Sequence, residues 1–281
     1  MQNFRTAWVI FRTLPLLAAF ALPAAAQTPA PPAAEKPATA VAQPLIEPKA
    51  IELLKAMSDR LAAAHTMTFT AVTTYESPAI ATGQPLAYST ISKVAVQRPD
   101  KLRVIVPGDG PPSEFYYNGK TMIAYAPNEG MVAVADAPPT IDAMLQQADR
   151  IAAIYFPFTD VIVADPYKDI AGDIRMAFVV GQSRVVGGTL TDIIVVVTDN
   201  IQGQIWIGAE DHLPRRMRAT FFGEPGQFRH DLEFRDWKLD PVLPAGTFGS
   251  DKVATAKHIK FVRPDAPVVT PSTKKKGEAQ P

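Results

Sequence analysis

Two runs of strand-forming sequence, with one helical block between them, constrain this chain more than any other feature. Met67, Phe69, Ala71 and Thr73 alternate with Thr68, Thr70, Val72 and Thr74. A period of two marks a strand with two unlike faces. Further strand candidates follow at 86–97, 101–106, 113–118, 120–125 and 131–135, then at 174–182, 189–199, 202–208, 214–222 and 227–238. The last is the clearest. Phe228, Leu232 and Phe234, with His230, face one way, while Arg229, Asp231, Glu233 and Arg235 face the other. Such alternation suits an antiparallel sheet with one dry and one wet face. Asn118-Gly119 is a hairpin signal, because these residues accept the positive φ that tight hairpin turns need. Pro127-Asn128-Glu129-Gly130 and Gly187-Gly188 mark two further turns.

The pattern changes to helical spacing in two places. Ile51, Leu54, Met57 and Leu61 recur on one face after Pro48, which suits a first helical turn, and Glu47 and Glu52 lie near the positive end of the dipole. Ile141, Met144, Leu145, Ala148 and Ile151 follow Thr140, a candidate cap. Phe156 to Gly172 is ambiguous, with Pro157 and Pro166 punctuating two short helical turns and Asp165 placed to cap or turn. Strands broken by a helical block predict an α+β fold, since parallel α/β units would alternate. About ten strands rarely stay flat. The expectation is a strongly curved antiparallel sheet, an incomplete β-barrel, with helices covering its concave face.

The ends differ from the middle. Arg5 and Arg12, an apolar run from Leu14 to Leu22, and Ala24-Ala25-Ala26 before Gln27 form a secretory signal pattern over residues 1–26. The apolar run is short of the ~20 residues that span a bilayer, and no later run is long enough. The mature chain is therefore expected not to be membrane-spanning. Residues 27–47 are rich in proline and alanine and lack aromatics, as a flexible linker does. Residues 263–281, with Lys274-Lys275-Lys276, are expected to be a flexible tail. One domain is expected between them, at 48–262.

Composition removes several functions. The 281 residues hold 28 basic and 28 acidic side chains, which argues against a nucleic-acid partner and its basic footprint. The absence of cysteine excludes disulfides, thiolate metal sites and cysteine nucleophiles. His65, His212, His230 and His258 have no metal-binding spacing, so neither a metal nor another cofactor is expected. Ser89, Ser92 and Ser183 lack a nucleophile elbow. Gly108-Asp109-Gly110 lacks the lysine and helix of a phosphate loop. No catalytic residue is expected, and the chain reads as a non-enzyme.

Several short motifs come in a telling order. Gln97-Arg98-Pro99-Asp100-Lys101-Leu102-Arg103 precedes Asn118-Gly119-Lys120-Thr121 and Tyr125-Ala126-Pro127, and Gln204-Ile205-Trp206-Ile207 precedes Leu213-Pro214-Arg215. Together with the opening helix and Phe69-Thr70-Ala71, these resemble the periplasmic outer-membrane lipoprotein carrier (LolA-like) superfamily over roughly 48–262. The resemblance is closest to a family of periplasmic proteins within it that has no assigned activity. It implies an incomplete barrel plugged by helices, a cavity for acyl chains, and an arginine that hydrogen-bonds to the helical lid. Arg98 is the matching position, and its expected partner is a carbonyl of residues 140–153. The chain departs from the carriers at Gly246-Thr247-Phe248, which runs into Gly249-Ser250-Asp251, so a docking role at that end does not carry over.

The dry face is the remaining candidate site. Phe69, Leu102, Val104, Phe115, Tyr117, Met122, Phe228, Leu232 and Phe234 are expected to line it. Two readings stay open: a periplasmic binder of an apolar or acylated ligand, such as a lipid or a lipoprotein acyl chain, and a periplasmic protein-interaction, sensor or assembly module, with an envelope protein as partner, a filled core and no ligand cavity.

Overall fold

The computed structural model describes residues 45–78, 83–108, 110–223 and 226–263. The expected signal at 1–26, nearly all of the linker at 27–47 and the tail beyond Arg263 lie outside the described residues. The first helix, α1 (Pro48–Ala63), leads into six strands: β1 (Thr66–Pro78), β2 (Pro85–Gln97), β3 (Lys101–Val106), β4 (Ser113–Tyr117), β5 (Thr121–Ala126) and β6 (Met131–Asp136). Three helices follow: α2 (Ile141–Ala152), α3 (Thr159–Ile162) and α4 (Pro166–Ala171). The second group of strands is β7 (Met176–Ser183), β8 (Thr191–Val197), β9 (Ile201–Gly208), β10 (Pro214–Phe221) and β11 (Arg229–Leu239), and a three-residue β12 (Lys257–Ile259) ends the fold.

All twelve strands share one sheet in the order β12-β6-β5-β4-β3-β2-β1-β11-β10-β9-β8-β7. Neighbours are antiparallel except β12, which runs parallel to β6. The two strand groups join where β1 pairs with β11, Ala71 opposite Phe234 and Thr73 opposite Leu232. β7 and β12 are the edges, so the sheet is open. The β7 edge is partly covered. Leu45 to Glu47 bonds to Ala177 on β7 through Glu47 N–H to Ala177 O at 2.7 Å and Ala177 N–H to Leu45 O at 2.9 Å. Covering an edge in this way blocks pairing with other chains.

The helices pack on one sheet face. Leu54, Met57 and Leu61 of α1, Ile141, Met144 and Ala148 of α2, and Val161 and Ile162 of α3 join the inward sheet residues in one buried cluster. Each fully buried aliphatic side chain of this size contributes about 1.5–3 kcal/mol over exposure. Thr140 caps α2, its hydroxyl accepting from Ala143 N–H at 3.3 Å. Asp165 caps α4, accepting from Lys168 N–H at 2.9 Å. At the β4–β5 hairpin, the Asn118 side-chain oxygen accepts from both Lys120 N–H and Thr121 N–H, and Gly119 takes φ +91°.

Glu47 stands at the N-terminus of α1, as expected, without a side-chain cap; its carboxylate accepts from Val179 N–H at 2.9 Å, holding the chain to β7. Three sequence expectations need correction. Phe228 precedes β11 and is half-buried, its ring lying against Gly226. The alternation of 227–238 holds at Leu232 and Phe234 but fails after Arg235. Asp236 takes φ +58° where the β1–β11 register shifts between Thr68 and Thr70. This bulge turns Trp237 onto the core face, with its ring 4.4 Å from that of Phe69. Finally, β3 to β6 are not wet on their other face. Tyr116, Ile123 and Val132 form a second small core there, covered by Val253 and Ala256 of the returning C-terminal segment.

Candidate functional site

The helical layer covers only part of the sheet face. Under it, Phe69, Leu102, Val104, Phe115, Tyr117, Met122, Leu232 and Phe234 are all buried in the main cluster. The packing is close. Phe69 meets Phe158 edge-on at 5.6 Å and Phe234 at 5.8 Å, and Phe115 meets Phe156 at 5.1 Å. These side chains therefore form a filled core, and Leu232 reaches beyond it to a cavity wall. Phe228 does not join them.

Open space begins where the same face runs past the helices. A cavity of about 250 Å³ lies over β8 to β11, against Val196, Ile201, Ile205, Met217, Phe221 and Leu232, with Phe158 and Val161 of the helical block on its other side. A second, of about 540 Å³, lies over β1 and β2, against Thr73, Tyr75, Thr90 and Ser92, with the connector from Ala153 to Pro157 opposite. Tyr155, Pro157 and His230 line both. The two spaces thus adjoin on one sheet face. The strand period placed His230 on the apolar side, and its ring sits 4.8 Å from Phe221 and 6.2 Å from Tyr75. The other wall residues had no sequence signal beyond their parity within a strand, because which part of a face stays uncovered depends on where the helices stop.

The two cavities differ in chemistry. The smaller has mostly aliphatic and aromatic walls. The larger carries Thr73, Thr90, Ser92 and Ser113 together with His230 and, among the described residues, no lysine, arginine, aspartate or glutamate. Thr73 is 2% exposed, and its hydroxyl has no hydrogen-bond partner. A third depression, of about 660 Å³, is lined wholly by the helical block and holds Asp142, Asp149, Asp165, Asp169 and Asp173. Among the described residues, no group of three or more His, Cys, Asp or Glu side chains is placed to hold a metal ion.

Arg98, in the β2–β3 turn, donates through Nη1 to Ile162 O at 2.8 Å and Val163 O at 2.7 Å, and through Nη2 to Leu61 O at 3.5 Å. Its partners are thus the C-terminal ends of α3 and α1, not carbonyls of residues 140–153. The helix α2 meets the same turn through backbone instead, Ile141 N–H donating to Pro99 O at 2.9 Å. Helix C-terminal carbonyls carry partial negative charge, which suits a guanidinium. Burial lowers the Arg98 pKa, and Asp142 opposes that shift. Asp142 also accepts from Ala164 N–H at 3.0 Å, so the segment just after α3 is held from two sides. Nearby, burial and a hydrogen bond with Asp169 push the Asp160 carboxyl up to about 7. Both acids stand on the wall of the smaller cavity.

The chain belongs to the family described as Predicted periplasmic protein (DUF2092), which matches residues 50–262. It is a periplasmic protein, and no helix among its described residues is long and apolar enough to cross a membrane. Comparison with curated proteins finds no match. Three solved structures illustrate its likenesses. The lipoprotein LppX of Mycobacterium tuberculosis is 12% identical over 70% of this chain and 98% of that one, with a TM-score of 0.45. The MucA/MucB complex of Pseudomonas aeruginosa gives 16% identity over 75% of this chain and 63% of that one, with a TM-score of 0.44. A LolA superfamily protein of Nitrosomonas europaea is 10% identical over 72% of this chain and 98% of that one, with a TM-score of 0.35. At this distance the likenesses carry no information about a ligand.

Proposed function

We propose that this periplasmic protein is a non-catalytic binder of an apolar or acylated ligand, a lipid or the acyl chain of a lipoprotein. The observation that carries this reading is the pair of adjoining cavities on one sheet face, of about 250 and 540 Å³. The larger falls in the range of small-molecule sites, roughly 300–1,000 Å³, and the smaller lies just below it; sites of this kind are mostly apolar with a few placed polar groups. The sheet would curl as an incomplete barrel, with the helices closing its concave side. Phe69, Leu102, Val104, Phe115, Tyr117, Met122 and Phe234 then serve as the rigid floor that holds the helices in place, and Leu232 reaches the ligand. Arg98 latches the α3 end of the cover to the sheet.

A module that docks an envelope protein has less support: the core is filled, as that reading expects, but the same sheet face also carries open space for which it has no use. The test is native mass spectrometry of protein purified from the cell envelope, with displacement of an apolar fluorescent dye as a second readout. The expected result is a retained lipid-sized adduct, and dye binding that Ile205→Trp abolishes by filling the smaller cavity. Adduct-free protein that also fails to bind dye would overturn the reading.

A further inference from the structure

Resting on that reading, we infer that the ligand is an amphiphile with a non-anionic, hydroxyl- or ester-bearing head, the chain over β8 to β11 and the head over β1 and β2. The two cavities sort these parts by chemistry. Val196, Ile201, Ile205, Met217, Phe221 and Leu232 offer the smaller one nothing but apolar contact, which suits a hydrocarbon chain. The larger one is walled by hydroxyls and an imidazole.

The head is not an anion, because among the described residues no lysine or arginine lines the larger cavity. A carboxylate or phosphate moved from water into the larger cavity would lose its hydration without gaining a lysine or arginine partner, at a large cost. Arg218 borders the smaller cavity, but its guanidinium stands 3.7 Å from Asp231. Asp160 and Asp169 at that same wall would repel an anion further. A hydroxyl or ester head meets no such cost.

The Thr73 hydroxyl points to where the head binds. A buried donor without a partner is costly and rare in folded proteins. Thr73 lies on the cavity wall between Thr90 of β2 and Leu232 of β11, where the polar and apolar walls meet. Its oxygen is closed off as the wall stands, so a head group with both donor and acceptor capacity satisfies this unpaired group once the wall gives locally to admit it. Such a hydroxyl can donate to an ester carbonyl or accept from an alcohol.

The experiment compares three ligands with one palmitoyl chain: monopalmitoylglycerol, palmitate and palmitoyl lysophosphatidate. Each displaces the apolar dye from the full exported chain below its micellar concentration. Monopalmitoylglycerol is expected to bind at least about tenfold more tightly than either anion. Thr73→Val keeps the side-chain shape and replaces an unpaired buried hydroxyl with a methyl, so the variant should fold at least as well as the parent. It is expected to lose about three- to tenfold in affinity for monopalmitoylglycerol, with unchanged dye affinity. Either anion binding as tightly as the glycerol ester, or an unchanged affinity in Thr73→Val, overturns the head assignment and leaves an apolar binder standing. Failure of all three ligands to displace the dye overturns the assignment, and failure of the dye itself to bind overturns the broader reading too.

Discussion

Replacing Arg98 by leucine would test whether the helical cover is held at one point. The side chain makes two short bonds, to Ile162 O and Val163 O, and a third contact to Leu61 O at the limit of hydrogen bonding. A hydrogen bond involving one charged partner contributes about 1.5–3 kcal/mol net. Two such bonds at a half-buried site, where water can replace part of the loss, give roughly 3 kcal/mol for Arg98→Leu. If that energy holds α3 locally, it lowers amide protection there roughly a hundredfold. The assay is hydrogen–deuterium exchange resolved to two peptides, one over 156–172 and one over 141–152. Protection should fall in the first and hold in the second, because α2 keeps its Thr140 cap, its bond to Pro99 O and its buried face. Arg98→Lys supplies one point charge in place of a fork and should restore part of the protection. Unchanged protection in 156–172, or a loss confined to 141–152, would refute the reasoning. A uniform loss over the whole domain would show that Arg98 supports global stability and is no latch.

Three further outcomes are expected. Phe234→Ala should cost about 3–5 kcal/mol, as buried aromatics do, and Arg235→Ala little; equal shifts in denaturant midpoint would mean that the face is wrong. Gly119→Ala should lower stability by more than ~1 kcal/mol, because φ +91° strains an L-residue and the new Cβ would sit 2.6 Å from Asp100 Oδ2; an unchanged melting temperature would contradict this. Burial, with the neighbouring Asp169, raises the Asp160 pKa from its ordinary 3.8 to about 7. The folded state therefore holds a proton that the unfolded state releases between those values, and this site's contribution to stability falls as pH rises from about 4 to 7. Asp160→Asn should gain melting temperature over the parent progressively across that window and hold the gain above it; a difference independent of pH would refute the shift.

Much of the fold was legible locally, and the reason is that strands and caps are read from near neighbours. Met67 to Thr73 alternate because a strand turns each side chain to the opposite face. Asn118-Gly119 makes its turn with its own side chain and φ, and Thr140 and Asp165 cap helices two or three residues away. The parity of 230 to 234 identified the face that carries the cavities. What the tertiary structure decided rests on partners far apart in sequence. The Asp236 bulge, which turns Trp237 inward, comes from the register between β1 and β11. The second dry face of β4 to β6 exists because residues 251–259 return to cover it. Arg98 shares the turn that meets α2, yet its guanidinium bonds to the ends of α3 and α1, since α2 meets that turn with its N-terminal N–H groups while α3 and α1 present C-terminal carbonyls. The candidate site depends most on this level. Phe69 and Thr73 are four residues apart on one face of β1 and both are buried, but the first lies under Phe158 and the second in a cavity wall. Alternation assigns a side chain to a face, whereas the end of a helix lying across that face decides whether it meets protein or space.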